Sequence, residues 1–230
     1  MEHGVKYLSN CLKWLMCFLI IFIYVACNAK DTNKIEFITS SYGIVQYPVF
    51  KNIEGSEQVN DLIIEKVKSI LDSNEEFDGS IQYSVLECNS EIISIEFYGD
   101  IIYLPTKRPL RIYSCMSIDV KNKKQIKLSD IKEINDDFIN NYIESLCLKY
   151  KEIHPNTESN PFGENSSYNM EYFKYYLNKA DQLVYNNQLD RYLDSHIKSC
   201  IHENNIILSM ELPQALGFHI EVRISLDDIK

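Results

Sequence analysis

Hydrophobic and polar positions follow two periods along this chain, and the changes between them mark the predicted elements. A period of two is typical of half-buried strands, whereas spacings of three and four residues are typical of helices. The segment 34–50 is rich in β-branched and aromatic residues and is predicted to be a strand that ends at Pro48. Further strands are predicted at 81–88, 91–98, 111–120, 206–212 and 219–226.

Three helices are predicted between these strands. Apolar residues recur at helical spacing over 56–73, and a second apolar stripe runs from Ile139 to Tyr150 behind Asp136 and Asp137. A third helix is predicted over 168–185. The resulting order, β-α-β-β-β-α-α-β-β, predicts an α+β fold in which a mostly antiparallel sheet is covered by two to three helices.

The N-terminus has a different pattern, because the run from Trp14 to Ala26 carries no charge and follows Lys6 and Lys13. As a helix this run would span about 20 Å, less than the roughly 30 Å of a bilayer core, so residues 1–27 are predicted to be a signal peptide. The sequence Val25-Ala26-Cys27 resembles the lipobox of bacterial lipoproteins, which predicts lipidation of Cys27. Two alternatives stay open: an uncleaved membrane anchor and ordinary cleavage near Ala29.

Each of these three alternatives places the rest of the chain outside the cytoplasm, either attached to the cell membrane or secreted. The predicted organisation is therefore a signal segment 1–27, a short tether 28–34 and a single extracytoplasmic domain 35–230. Gly and Pro are scarce, at 7 and 6 residues, which argues against long flexible linkers in this domain.

Charge restricts the class of partner. The net charge of −10 disfavours nucleic acid and anionic membrane surfaces, and it is compatible with a basic protein. Four cysteines lie in the body of the chain, at 88, 115, 147 and 200. Their wide spacing is not typical of a zinc site, so either buried thiols or up to two disulfides are expected.

No motif of nucleophilic, metal or nucleotide chemistry is present in the sequence, so no catalytic residue, metal site or cofactor is predicted. Three weaker groups of residues are expected to be ordinary surface or core features rather than sites. These groups are His196, Cys200 and His202; Glu87, Glu91 and Glu96; and Lys107, Arg108 and Arg111.

The third predicted helix concentrates tyrosines, and Tyr168, Tyr172, Tyr175 and Tyr176 form the candidate ligand-binding site. Tyrosine combines a large contact area with a hydroxyl group, which suits a surface that binds a glycan or a protein. Packing of the same side chains into the core is the alternative. The adjoining loop 155–167 is expected to contribute to recognition.

Several segments in order resemble a known family. These are "IVQYPVF…VNDLIIEKVKSIL", "IISIEFYG", "IDVKNKKQIKLSDI" and "NNIILSMELPQALGFHIEVRISLDDI". They resemble the extracytoplasmic domain shared by sigma-V-type anti-sigma factors and by the N-terminal region of a peptidoglycan deacetylase, a domain of unknown function. The resemblance covers roughly 35–229, although the turn has "KNKK" where glycine is usual, and 155–200 match poorly. It implies no catalytic residues.

Together these observations predict a non-enzymatic binding or sensor module that is tethered to the cell surface and faces the bacterial cell wall. The expected partners are the membrane, through the N-terminal anchor or lipid, and either a basic wall-active protein or a wall glycan. One alternative is an enzyme that acts on wall glycan or peptide. Another is a membrane-anchored regulatory protein, although only 13 residues precede the apolar run, too few for a cytoplasmic sigma-binding domain.

Overall fold

A computed structural model describes residues 35–70, 76–157, 161–162, 166–186, 191–213 and 219–229. Cys27 and the apolar run from Trp14 to Ala26 lie outside these residues. Within the described ranges no helix is long and apolar enough to cross a bilayer.

Strands and helices alternate from Phe37 onward as an α+β fold with antiparallel sheets, which confirms the predicted fold class. The strands are β1 (Phe37–Tyr42), β2 (Val45–Phe50), β3 (Phe77–Gly79), β4 (Gln82–Cys88), β5 (Ile92–Tyr103), β6 (Arg108–Asp119), β7 (Lys124–Ile126), β8 (Leu183–Asn186), β9 (Arg191–Asp194), β10 (Ile197–His202), β11 (Asn205–Glu211) and β12 (His219–Ser225). The helices are α1 (Ser56–Ile70), α2 (Leu128–Ile131), α3 (Asp136–Ile153) and α4 (Met170–Asn178), and a 3₁₀ turn covers Leu226–Ile229.

The larger sheet is built on the long antiparallel hairpin of β5 and β6, which pair along their whole length. Strand β7 continues the sheet beyond β6, while β3 and β4 both pair with β5. The β1–β2 hairpin joins it through two backbone hydrogen bonds, from Gln46 N–H to the Ile81 carbonyl oxygen at 2.8 Å and from Ile81 N–H to the Ile44 carbonyl oxygen at 2.9 Å.

The smaller sheet has the order β10-β11-β12, and one of its faces forms the core with α3 and α4. The alternating Ile206, Leu208 and Met210 of β11 are fully buried there, together with Ile220 and Val222 of β12. The predicted apolar stripe of α3 faces the same core. The period of two in the last strands and the helical spacing in α3 therefore point to the same buried layer.

The two sheets also contact each other, through β6 and β10. Ile201 N–H donates to Ser117 Oγ at 2.8 Å, and Ser117 Oγ lies 2.7 Å from Ser94 Oγ on β5. These three residues are buried, so the hydrogen bonds satisfy polar groups that would otherwise be costly to remove from water.

Two predicted elements need correction. The segment 34–50 is a hairpin rather than one strand, because Gly43, at φ +58°, begins a two-residue turn between Tyr42 and Val45. Within the range 168–185, which was predicted to be a helix, only Met170–Asn178 is helical, and the last residues of the range belong to strand β8. Asp181 adopts φ +63°, in the left-handed region, and its buried carboxylate accepts hydrogen bonds from the backbone N–H groups of Leu128 and Ser199. The helix therefore cannot continue through Asp181.

Candidate functional site

Helix α4 positions the tyrosines that the sequence predicted as a binding site. The helix starts at Asn169, whose side-chain oxygen accepts the Tyr172 backbone N–H at 3.0 Å. Phe173 and Leu177 point into the core at 0% and 1% exposure. This anchoring fixes the direction of the adjacent flank of the helix, where Tyr172 and Tyr176 lie one turn apart.

The tyrosine rings lie in contact as a row. The ring centroids of Tyr168 and Tyr172 are 5.1 Å apart at an angle of 85°, and those of Tyr172 and Tyr176 are 4.5 Å apart at 44°. The row continues to His196, whose ring lies 4.7 Å from that of Tyr176. We call Tyr168, Tyr172, Tyr176 and His196 the aromatic ladder. Tyr175 lies beside it, 4.9 Å from Tyr176.

The ladder is half in the core and half at the surface. Tyr168, Tyr172 and Tyr176 are partly buried and pack against the helix core, whereas Tyr175 is 51% exposed. Burial raises the pKa of Tyr168, Tyr172 and Tyr176, so these phenols stay protonated and can donate a hydrogen bond at neutral pH. Both interpretations of the sequence, core packing and surface contact, therefore describe parts of the same side chains.

An ion pair borders the ladder where it reaches the smaller sheet. Lys198 is buried at 2% exposure and pairs with Glu211, whose side chain is 49% exposed. The Glu211 backbone N–H also donates to the His196 carbonyl oxygen at 2.9 Å. Sequence reasoning did not connect His196 with the tyrosines, because the two segments meet only through the fold.

A second cluster lies between the two sheets, and we call Glu96, Tyr113, His219 and Glu221 the carboxylate cluster. The Tyr113 ring stacks on the His219 ring with centroids 4.7 Å apart and planes inclined by 13°. The Tyr113 hydroxyl donates to Glu96 Oε2 at 3.4 Å, and it also helps to lower the pKa of the Glu221 carboxyl. His219 Nε2 lies 3.3 Å from Glu221 Oε1.

The two carboxylates of this cluster have opposite pKa shifts. Burial, followed by repulsion from Glu221, raises the pKa of Glu96. A hydrogen bond from His219 is the main cause that lowers the pKa of Glu221. Such a pair, one carboxyl with a raised pKa beside one with a lowered pKa, is the arrangement from which acid and base roles can be assigned in hydrolases.

Glu221 also lines an open surface groove of about 740 Å³ between α3 and β12. The opposite wall is formed by α3, where Leu148 is 65% exposed and Lys149 pairs with Glu152 at 2.8 Å. The groove is lined by residues of both charges and lies along β12, the edge strand of the smaller sheet.

The groups of residues considered from the sequence do not come together as groups, although His196 and Glu96 belong to the two clusters described above. His196 lies before β10, Cys200 is buried against Tyr113, and His202 approaches Glu87, with 3.9 Å between Nδ1 and Oε2. Cys200 and His202 lie on strand β10, and no group of three metal-ligating side chains occurs among the described residues. Glu91 lies exposed in the turn between β4 and β5, away from Glu96.

The basic patch is partly neutralised, because Arg111 pairs with Asp100 at 2.8 Å across the β5–β6 hairpin. Lys107 and Arg108 lie at the turn of the same hairpin, where Lys107 adopts φ +53°. Of the loop 155–167 the structure describes only parts. Within them Phe162 is buried at 1% exposure and contacts Tyr168 at 5.7 Å between centroids.

No protein-family model and no curated protein matches this sequence. Among solved structures, the chain is similar to a DUF3298 family protein from Pseudomonas aeruginosa PAO1, with a TM-score of 0.45 and 13% identity over 86% of this chain and 92% of that chain. It is also similar to a DUF3298 family member from Bacteroides fragilis NCTC 9343, with a TM-score of 0.40 and 10% identity over 85% and 90%. The resemblance to anti-sigma factors and a deacetylase stays a prediction.

Proposed function

We propose that this protein is a non-enzymatic binding module, tethered to the cell surface and facing the cell wall, that binds a basic protein through the aromatic ladder and Tyr175. The observation that carries this proposal is the continuous row of rings from Tyr168 through Tyr172 and Tyr176 to His196. Aromatic residues are enriched where proteins bind other proteins.

The angles between the rings favour a protein over a glycan chain. Successive rings in the ladder are inclined by 85°, 44° and 38°, so they do not form one flat platform on which several sugars could lie. The inclined rings instead present faces and hydroxyls in several directions. Lysine and arginine side chains bind such faces by cation–π interaction, and the hydroxyls add hydrogen bonds.

The charge of the chain favours a basic partner as well. A net charge of −10 attracts a cationic protein from a distance and raises its association rate. Close to the ladder, Glu211 is half exposed and Glu171 is exposed on α4. Binding of this kind should weaken as the salt concentration rises from about 0.1 M to about 0.5 M.

Binding of the full-length chain in detergent to basic and acidic proteins of equal size would test the proposal. We expect measurable binding only to the basic set, and loss of at least about tenfold in affinity for Tyr175→Ala combined with Tyr176→Ala, as for hot-spot aromatics. The matched control is Tyr98→Ala, which removes a tyrosine that is 40% exposed on β5 and distant from the ladder in the sequence. Equal affinity of both variants would contradict the proposed surface.

A second function, hydrolysis of wall glycan or peptide, is favoured by one observation, the opposite pKa shifts of Glu96 and Glu221 around the Tyr113 hydroxyl. Its test is incubation of the same preparation with purified wall fragments. Soluble products that disappear with Glu221→Gln, while binding to basic proteins is unchanged, would favour the enzyme.

The tether of the proposed module is the lipidated Cys27. The supporting features are the small residues Val25 and Ala26 before the cysteine and the uncharged run that precedes them. Mass spectrometry of the mature N-terminus should find Cys27 as the first residue with a diacylglycerol group, and Cys27→Ser should move the protein from the membrane fraction to the soluble fraction. An intact Met1, or a start near Lys30, would refute lipidation.

A further inference from the structure

Two cysteines meet between the sheets, where neither the aromatic ladder nor the carboxylate cluster uses them. Cys115 lies on β6 at 0% exposure and Cys200 lies on β10 at 1% exposure. Both belong to one buried cluster, and burial together with the interaction with Cys200 raises the pKa of the Cys115 thiol. In the described part of the chain all four body cysteines are thiols, and these two are the fully buried ones.

An independent contact holds the two backbones together at this point. The hydrogen bond from Ile201 N–H to Ser117 Oγ, at 2.8 Å, lies one residue after Cys200 and two residues after Cys115. The apolar and aromatic side chains around the pair are Tyr113, Ile207 and Leu86, and the charges of Asp181 and Lys66 also act on Cys115. The packing of β6 on β10 therefore places the two cysteines in one buried cluster, and a disulfide between them requires the sulfurs to reach a bonding distance of about 2.05 Å.

We propose that Cys115 and Cys200 form a disulfide that ties β6 of the larger sheet to β10 of the smaller sheet. The oxidant is a small-molecule or protein disulfide, and this step rests on the proposed location of the module outside the cytoplasm. One cysteine thiolate attacks this disulfide, forms a mixed disulfide and releases one thiol; the second cysteine then displaces the other thiol. Two cysteine thiols lose two protons and two electrons, and the oxidant becomes two thiols.

Oxidation takes place during folding or local opening rather than in the closed protein. Burial, reinforced by the hydrogen bond to Cys200, raises the pKa of the Cys115 thiol, so little reactive thiolate exists once the sheets are packed. The same burial protects the finished disulfide from reducing agents. The bond closes the loop 116–199, which holds α2, α3 and α4, and it restricts the unfolded chain accordingly.

The other body cysteines provide the matched controls. Cys147 donates its S–H to the Phe162 carbonyl oxygen at 3.5 Å, and Cys88 lies half-buried at the end of β4. Cys88→Ser and Cys147→Ser should therefore leave the disulfide intact, whereas Cys115→Ala combined with Cys200→Ala should remove it.

The test uses the full chain unfolded and reduced, refolded with oxidised glutathione, and then denatured with an alkylating reagent. Non-reducing peptide mapping should find the Cys115 peptide joined to the Cys200 peptide, with Cys88 and Cys147 alkylated. Full reduction should lower the Tm by about 10 °C. Alkylation of both Cys115 and Cys200 after this refolding, or pairing of either with another cysteine, would overturn the proposal, and neither readout depends on the double variant folding.

Discussion

The Asp181 carboxylate accepts the Ser199 backbone N–H at 2.6 Å inside the protein, so a buried charge ties the turn after α4 to strand β10. The same carboxylate accepts the Ser199 hydroxyl and, at 3.1 Å, the Leu128 N–H at the start of α2. Lys66 of α1, which is only 7% exposed, adds an attractive charge. One side chain therefore connects four elements that are distant in the sequence.

We predict that Asp181→Asn destabilises the protein by about 2–3 kcal/mol. Asn tolerates the φ of +63°, so the backbone is kept, but only one of its two terminal atoms can accept hydrogen bonds. Either the Ser199 N–H or the Leu128 N–H then faces an amide N–H₂. Urea unfolding measures the loss. Asp100→Asn, on an exposed ion pair with Arg111, is the control and should cost less than about 1 kcal/mol.

A pH dependence follows from the same residue. Burial raises the pKa of Asp181 to about 6, above the usual value of 3.8. Between these values the folded state binds more protons than the unfolded state, so Asp181 adds stability as the pH falls, by up to about 3 kcal/mol in total. Protonation leaves an acceptor lone pair on both oxygens, which the amide of Asn lacks.

The measurement is the difference in unfolding free energy between the unsubstituted protein and Asp181→Asn at about pH 7.5 and about pH 4.5. We expect this difference to be larger at the lower pH, because only the unsubstituted protein gains from protonation. Taking the difference removes the contribution of all other carboxyl groups. A difference that shrinks as the pH falls would show that the ionised carboxylate is the favoured form.

Asp181 also explains how far the sequence predicted the fold. The last two strands were predicted because their apolar residues alternate, from Ile206 to Leu212 and from Ile220 to Leu226. Strand β10 was missed because Lys198 and Ser199 are polar and yet buried. Their partners, Glu211 and Asp181, become neighbours only in the folded chain, so no local sequence pattern indicates that these polar residues are buried.

The candidate sites, too, are predictable from the sequence only where their residues lie close together along the chain. Tyr172 and Tyr176 are four residues apart, a spacing that places them on one side of a helix, so the sequence could predict that they act together. His196 joins them from a distant segment. Glu96 was considered from the sequence, but only with Glu87 and Glu91, because its actual partner Glu221 comes from the other sheet.

Opposite effects are expected for the two carboxylates of the cluster at neutral pH. Glu96→Gln should raise stability by about 0.5–1 kcal/mol, because the repulsion from Glu221 disappears while an acceptor for the Tyr113 hydroxyl remains. Glu221→Gln should lower stability by a similar amount, because the interaction with His219 weakens. Unfolding by urea at about pH 7.5 measures both changes.

Both effects on stability should become smaller as the pH falls. A raised carboxyl pKa costs stability above that pKa, so the advantage of Glu96→Gln should vanish as acid protonates Glu96. A lowered pKa contributes stability that acid removes, so the loss caused by Glu221→Gln should also diminish at low pH. Effects of the same sign for both substitutions at neutral pH would contradict the pairing.

The last strand should be indispensable for folding. Ile220 and Val222 are 2% and 6% exposed, and Ile220 lies beside Met210 of β11 against the core of α3 and α4. A chain without residues 218–230 would expose this layer and leave a large cavity, so we expect it to lack a cooperative melting transition. Ile220→Ala removes only side-chain packing in the core and should lower the free energy of unfolding by about 3 kcal/mol. Arg223→Ala, an exposed neighbour on the same strand, should cost less than about 0.5 kcal/mol. Cooperative melting of the truncated chain near the Tm of the full protein would show that β12 is dispensable for this core.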